Sequence, residues 1–130
     1  RKRGVEIDIL IPGPITDARI VHKASRHFWG ELLDAGIRIH EFEPTMYHCK
    51  LVVVDEAWAS VGSTNIDDRA LRLNDEVNLN AYDPAFARAQ IGVFEADLKR
   101  ARPYTLAQWR ARSSWEQLSD WLASLLRSQI

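Results

Sequence analysis

The sequence predicts an α/β domain: a mixed β-sheet flanked by helices, with a helical tail at the C-terminus. Three observations predict it. Short segments alternate apolar and polar residues with the period of two that strands require. A long segment between the first two of them carries its apolar residues at helical spacing. A second helical segment opens on Asp83-Pro84, an acidic cap followed by proline at the first helical position.

The elements follow in chain order. "VEIDILIPGP" alternates from Val5 to Ile11 and stops at Pro-Gly-Pro, a strand ending in a loop. "TDARIVHKASRHFWGELLDAG" places Ile20, Val21, Phe28, Leu32 and Leu33 on one stripe; Thr16 can cap this helix and Gly36 can end it. "IRIHEFE" is a second strand, and the first crossover between them is expected to be right-handed. "HCKLVVVD" and "WASVGS" form a third and fourth strand about a tight turn at Asp55-Glu56-Ala57. The apolar run Leu51-Val54 reads as buried strand. "NDEVNLNAY" is a fifth strand, with Val77, Leu79 and Ala81 opposite Glu76, Asn78 and Asn80. The helix after Asp83 is expected to run to about Arg102, where Pro103 breaks it, and two more helical stretches finish the chain. The middle strands are linked closely enough for antiparallel pairing.

Composition excludes several classes. With 130 residues and 46% hydrophobic content, one folded domain is expected. A net charge of -1 argues against a nucleic-acid partner. A single cysteine forbids an intrachain disulfide and favours a reducing cytoplasm. No segment has the length of a membrane span, and a chain that starts at Arg1 reads as a piece of a longer protein.

Chemistry concentrates at the ends of the third and fourth strands. On a strand, His48 and Lys50 share one face and Cys49 takes the other, toward the core; Ser63 and Asn65 share a parity past the fourth strand. A neutral imidazole can attack or donate a proton near pH 7. A lysine supplies a compact positive charge for a phosphate oxygen, and Ser63 and Asn65 supply neutral donors. Gly62 permits close backbone approach. A carboxylate is wanted to orient the imidazole, and Glu76, on the polar face of the next strand, is the candidate. Such a set suits displacement at phosphorus, with lysine in the role of the cation. No metal or other cofactor is therefore expected: metal-ligand spacings are missing, as are the glycine-rich phosphate loop and the Gly-x-Ser-x-Gly elbow.

His48-x-Lys50-x4-Asp55-x6-Gly62-Ser63-x-Asn65 matches the HKD motif of the phospholipase D superfamily over 18 residues without a gap. The flanks, above all "GSTNIDDRALRLNDEVNL", resemble the second catalytic half of bacterial cardiolipin synthases, and the resemblance runs from about Gly4 to Arg112. It implies half of a phospholipase D-like α/β/α sandwich over 1–104, followed by a tail over 105–130. It also implies two HKD halves around one active site, in one longer chain or a homodimer. One histidine would become a phosphohistidine, the other would serve as acid and base, and a phosphatidyl group would pass to an alcohol or water. By position, His48, Lys50, Asp55 and Glu76 take the catalytic places, and Lys50, Ser63 and Asn65 the phosphate-binding ones; Asp55, at the far end of the strand, is expected to be structural. Cys49 stands where alanine is common, and Asp75 where an apolar or aromatic residue is common.

The implied setting is peripheral, on the cytoplasmic face of the cell membrane or in the cytoplasm, with phospholipid as substrate. The alternatives are a phosphodiesterase or nuclease of the same superfamily and a degenerate scaffold half. Arg69 and Arg72 fit a phosphate headgroup or plain surface charge. His22, His27 and His40 are expected at the surface or on a helix face. In the tail, Trp115, Leu118, Leu122, Leu125 and Leu126 form a stripe with Trp121 beside it, suited to a bilayer surface or to packing on the other half, the latter favoured.

Overall fold

A computed structural model describes residues 3–126 of the chain. Its order is β1 (Asp8–Pro12), α1 (Arg19–Asp34), β2 (Arg38–Phe42), β3 (Leu51–Val54), β4 (Trp58–Gly62), α2 (Asp68–Arg72), β5 (Asn78–Ala81), α3 (Pro84–Leu98), β6 (Ala101–Tyr104), α4 (Leu106–Arg110) and α5 (Ser114–Ser124). The strands form two three-stranded sheets, β1-β2-β6 and β3-β4-β5, where one mixed sheet was expected. The first is mixed, with β1 parallel to β2 and β6 antiparallel to it; the second is antiparallel throughout. Helix α3 packs against strands of both sheets and joins them.

Local chemistry accounts for most of the boundaries. Asp83 accepts hydrogen bonds from the Ala85 and Phe86 amides, which starts α3 as the Asp-Pro pair predicts. Thr16 does not cap α1 directly: Ala18 is the cap residue, and Thr16 Oγ1 accepts from the Ala18 amide. The C-terminal end of α1 follows expectation, with the Ile37 amide reaching back to Leu32 O and Gly36 at φ +80. The helix expected to run to Arg102 ends at Leu98, and Pro103 lies within strand β6 opposite His40. Proline has no amide to donate, so an edge strand such as β6 is where a sheet tolerates it.

The core is small. Ile39, Phe42, Trp29 and a set of alanines, including Ala24, Ala59 and Ala87, are buried. The run Leu51–Val54 is not buried throughout: Val52 and Val54 are 39% and 47% exposed, while Leu51 and Val53 on the other face are partly covered. His22 lies on a face of α1 as expected, but His40 lies in strand β2, and neither is fully exposed. Their Nε2 atoms are enclosed, His22 beside Glu41 at 3.5 Å and His40 beside Asp8 at 3.4 Å. Burial pushes the Glu41 carboxyl up, but His22 and Arg102 outweigh it and hold it below the usual carboxylate range.

The tail packs on its own chain. Helix α5 lies along α1, and Asp120, with no exposed surface, receives Arg26 in a two-pronged pair at 2.8 and 2.9 Å together with Arg112. Trp109 of α4 donates from Nε1 to Arg26 O at 2.8 Å and fills the space over Gly30, where a Cβ would come within 2.6 Å of its ring. The last residues of the expected tail, 127–130, lie outside the described residues.

Candidate active site

Of the candidate residues, His48 and Lys50 precede β3 and Ser63 and Asn65 follow β4, at the same end of the β3–β4–β5 sheet. The ladder pairs Leu51 with Val61, and the Gly62 amide donates to Lys50 O at 3.2 Å, so the pairing continues one step past β3. Lys50 is thereby set opposite Gly62, and His48 lies two residues beyond. Gly62 is demanded by contact: a Cβ there would sit 2.2 Å from Val77 O and 2.7 Å from Asn78 Cα. Only glycine lets β4 close on β5 at that point, and the next residue, Ser63, is the one the site needs.

Ser63 ties the end of β4 to the approach to β5. Its amide donates to Val77 O at 2.9 Å, its Oγ accepts from the Val77 amide at 3.0 Å, and its hydroxyl lies 2.5 Å from Glu76 Oε2. Asn74 donates to the other Glu76 oxygen at 3.3 Å. The Ser63 hydroxyl, with help from Asn74 and the Lys50 charge, holds the Glu76 carboxyl below the usual carboxylate range, so it is an anion at neutral pH. Lys50 Nζ donates to His48 O at 3.0 Å, which draws the ammonium toward the histidine's own backbone. His48 and Asn65 are exposed, Asn65 on the loop before α2. Among the described residues no hydrogen bond links Glu76 to His48; the carboxylate is held by Ser63 and Asn74.

One placement differs from the alternation rule. Strand pairing starts at Leu51, and residues 43–50 form an irregular approach, so Cys49 is exposed rather than turned to the core. Tyr47 anchors that approach instead. Its ring meets Phe42 at 4.9 Å, and burial, with Cys49 and the Asp97 carboxylate beside it, pushes its phenol well up. Asp55 does not join the cluster. It starts the β3–β4 turn, where Asp55 and Glu56 both adopt left-handed backbone angles, φ +50 and +51, and the Ala57 amide closes onto Val54 O. It lies at the end of β3 opposite to the one that Lys50 leads into. Arg69 and Arg72 lie in α2, just past the site.

Chemically, the cluster offers an imidazole, an ammonium, a hydroxyl and an amide at one sheet end, beside an anchored carboxylate. Among the described residues no group of His, Cys, Asp and Glu is arranged to hold a metal ion.

The family described as "Cardiolipin synthase, PLD-like domain" matches residues 1–98. Cardiolipin synthase A of Erwinia tasmaniensis is 38% identical over 91% of this chain and 24% of its own length. The minor cardiolipin synthase ClsB of Bacillus subtilis is 32% identical over 97% of this chain and 31% of its own length. The chain thus spans less than a third of the length of such relatives. In fold it is similar to a crystal structure of a phospholipase D family member, Nuc from Salmonella typhimurium, with a TM-score of 0.65 and 22% identity, covering 80% of this chain and 67% of that one.

Proposed function

The chain belongs to the cardiolipin synthase family of phospholipase D-like domains, and from that premise we propose that it is one half of a phosphatidyltransferase active site. The observation that carries the reading is that His48 and Lys50 lead into β3 at the same sheet end where Ser63 and Asn65 leave β4, with Lys50 set opposite Gly62. In this reading the imidazole of one half attacks phosphorus and a P–N bond forms as the P–O bond to the leaving alcohol breaks. The histidine of the other half protonates that oxygen. The acceptor alcohol then gives its proton to the same histidine while its oxygen displaces the phosphohistidine nitrogen. Lys50, Ser63 and Asn65 stabilise the charge on the non-bridging oxygens.

A second half is part of the proposal because this chain supplies one histidine to the cluster and two are needed. Val52 and Val54 are exposed on the open side of β3, an apolar surface for such a half to cover. Glu76, already an anion and not bonded to His48, has lone pairs left to orient an imidazole brought across by the other half. Asp55 acts in the turn and not on the phosphate.

The test is turnover of phosphatidylglycerol-type lipids in mixed micelles by the protein that carries both halves. His48→Ala is expected to remove activity by several orders of magnitude with the melting curve unchanged. A variant that keeps more than about a tenth of the rate would remove His48 from the chemistry. Salt-sensitive DNA binding without lipid turnover would assign the site to nucleic acid instead.

A further inference from the structure

Helix α5 is inside out for a helix docked on a domain. Its covered positions are Asp120, Ala123 and Ser124. Its large apolar residues, Trp115, Leu118, Trp121, Leu122 and Leu125, face away from α1 and are 44–75% exposed. At 100° per residue these side chains fill one continuous arc, with the covered residues opposite it. Asp120 explains the orientation. Its carboxylate must stay with Arg26 and Arg112, so the polar side is pinned inward and the apolar side outward.

The rim of that arc is cationic. Ser119 lies between the two faces, with Trp115 four residues before it and Leu122 three after. Lys23 of α1 donates to Ser119 Oγ at 2.8 Å, which places its ammonium at the edge of the apolar arc with two N–H groups to spare. Lys23, Arg19, Arg26, His22 and Thr16 line a cavity of about 160 Å³ between the β1–α1 loop and α1. Facing acids account for part of this charge. Asp120 and Glu116 lie against Arg26 and Arg112, and Glu41 lies against His22. Lys23 and Arg19 have no ion pair among the described residues, and Asp17 is the acid of the adjoining loop.

We infer that α5 and the N-terminal half of α1 form a membrane-docking face, with the apolar arc of α5 in the interfacial region of an anionic phospholipid bilayer and a lipid phosphate held by Arg19 and Lys23. An apolar arc carrying two tryptophans, with cations at its edge, is what an interfacial helix presents to anionic lipid. The charge complementarity selects a lipid surface over a second protein chain. This inference names the membrane contact of the proposed phospholipid reaction, but it concerns binding alone and does not use the chemistry at His48.

The test is co-sedimentation of the chain with vesicles of phosphatidylglycerol and phosphatidylcholine in equal parts, and with pure phosphatidylcholine. Tighter binding to the anionic vesicles is expected. Arg19→Ala with Lys23→Ala should weaken binding to the anionic vesicles by tenfold or more, at roughly fivefold per cation, and weaken phosphatidylcholine binding less. Leu122→Ser with Leu125→Ser, at exposed positions, should lower binding to both by about tenfold or more without moving the melting temperature. His48→Ala should bind like wild type, which separates this face from the active site. Equal binding by the Leu122→Ser, Leu125→Ser variant would overturn the inference. So would a chain that ignores anionic vesicles, or one that dimerises without lipid and is dispersed by those substitutions. Competition by millimolar inorganic phosphate, without loss of phosphatidylcholine binding, would mark the cavity as a free-phosphate site instead.

Discussion

Ser63 is the residue on which the site's geometry turns. One hydroxyl donates toward Glu76 and accepts from the Val77 amide, so the carboxylate and the start of β5 are held by the same atom. Removing it leaves Glu76 with Asn74 as its side-chain partner and the Val77 amide without its acceptor. Loss of a hydrogen bond to the charged form raises a carboxyl pKa toward its ordinary value. Ser63→Ala is therefore expected to move the acid limb of the activity profile to higher pH, as Glu76 becomes protonated sooner, and to lower the rate at the optimum as well. A pH–rate profile of the variant against the parent checks it. An unmoved acid limb would separate Glu76 from the chemistry. Lys50 is a second pressure point: its charge serves as a point donor, and Lys50→Arg would replace it with a planar fork of different reach.

Among the elements, α5 is held by charge more than by apolar contact. Arg26 and Arg112 converge on an Asp120 that is shut off from water, and Trp109 sits under the Arg112 guanidinium at 4.2 Å. Breaking such an arrangement from one side leaves buried charge uncompensated. That costs about 3–5 kcal/mol, whereas the intact cluster adds little over an apolar replacement. Asp120→Asn is therefore expected to lower stability by about 3 kcal/mol in urea unfolding, with loss of α5 from α1. Asp120→Leu with Arg26→Met, which removes charge from both sides of the Arg26 pair, should recover part of the loss. A cost below about 1 kcal/mol for Asp120→Asn would mean that α5 is not anchored by this carboxylate.

At the scale of the whole molecule, several acids share one direction of shift. Asp8 is lowered first by its hydrogen bonds from Arg38, and Glu41, Glu76 and Glu116 are lowered as well, Glu116 by the Ser113 cap. A carboxyl that is more acidic in the folded state binds fewer protons there than in the unfolded chain. Its contribution is present above the unfolded values, 3.8 for aspartate and 4.5 for glutamate, and is lost as pH falls through the lower folded values. The urea midpoint should thus hold steady from about pH 7 to 5 and then drop between about pH 5 and 3. A midpoint that rises on acidification would contradict these shifts.

By itself the sequence determined the α/β class, the succession of strands along the chain through β5, the Asp83-Pro84 helix start, and the residue types and spacing of the His48-to-Asn65 segment. Each of these rests on local chemistry: alternation, caps, or the demand of one glycine beside one serine. What only the tertiary structure decided rests on contacts between distant residues. Four-residue β6 with its internal proline has no periodicity to reveal it, and pairing with β2 makes it a strand. The division into two sheets depends on which strand edges meet, and the exposure of Cys49 on where pairing begins. The orientation of α5 was hidden for the same reason. Its stripe is legible as amphipathic, but which side faces inward was decided by Arg26, 94 residues away, whose charge needed Asp120 more than the leucines needed burial.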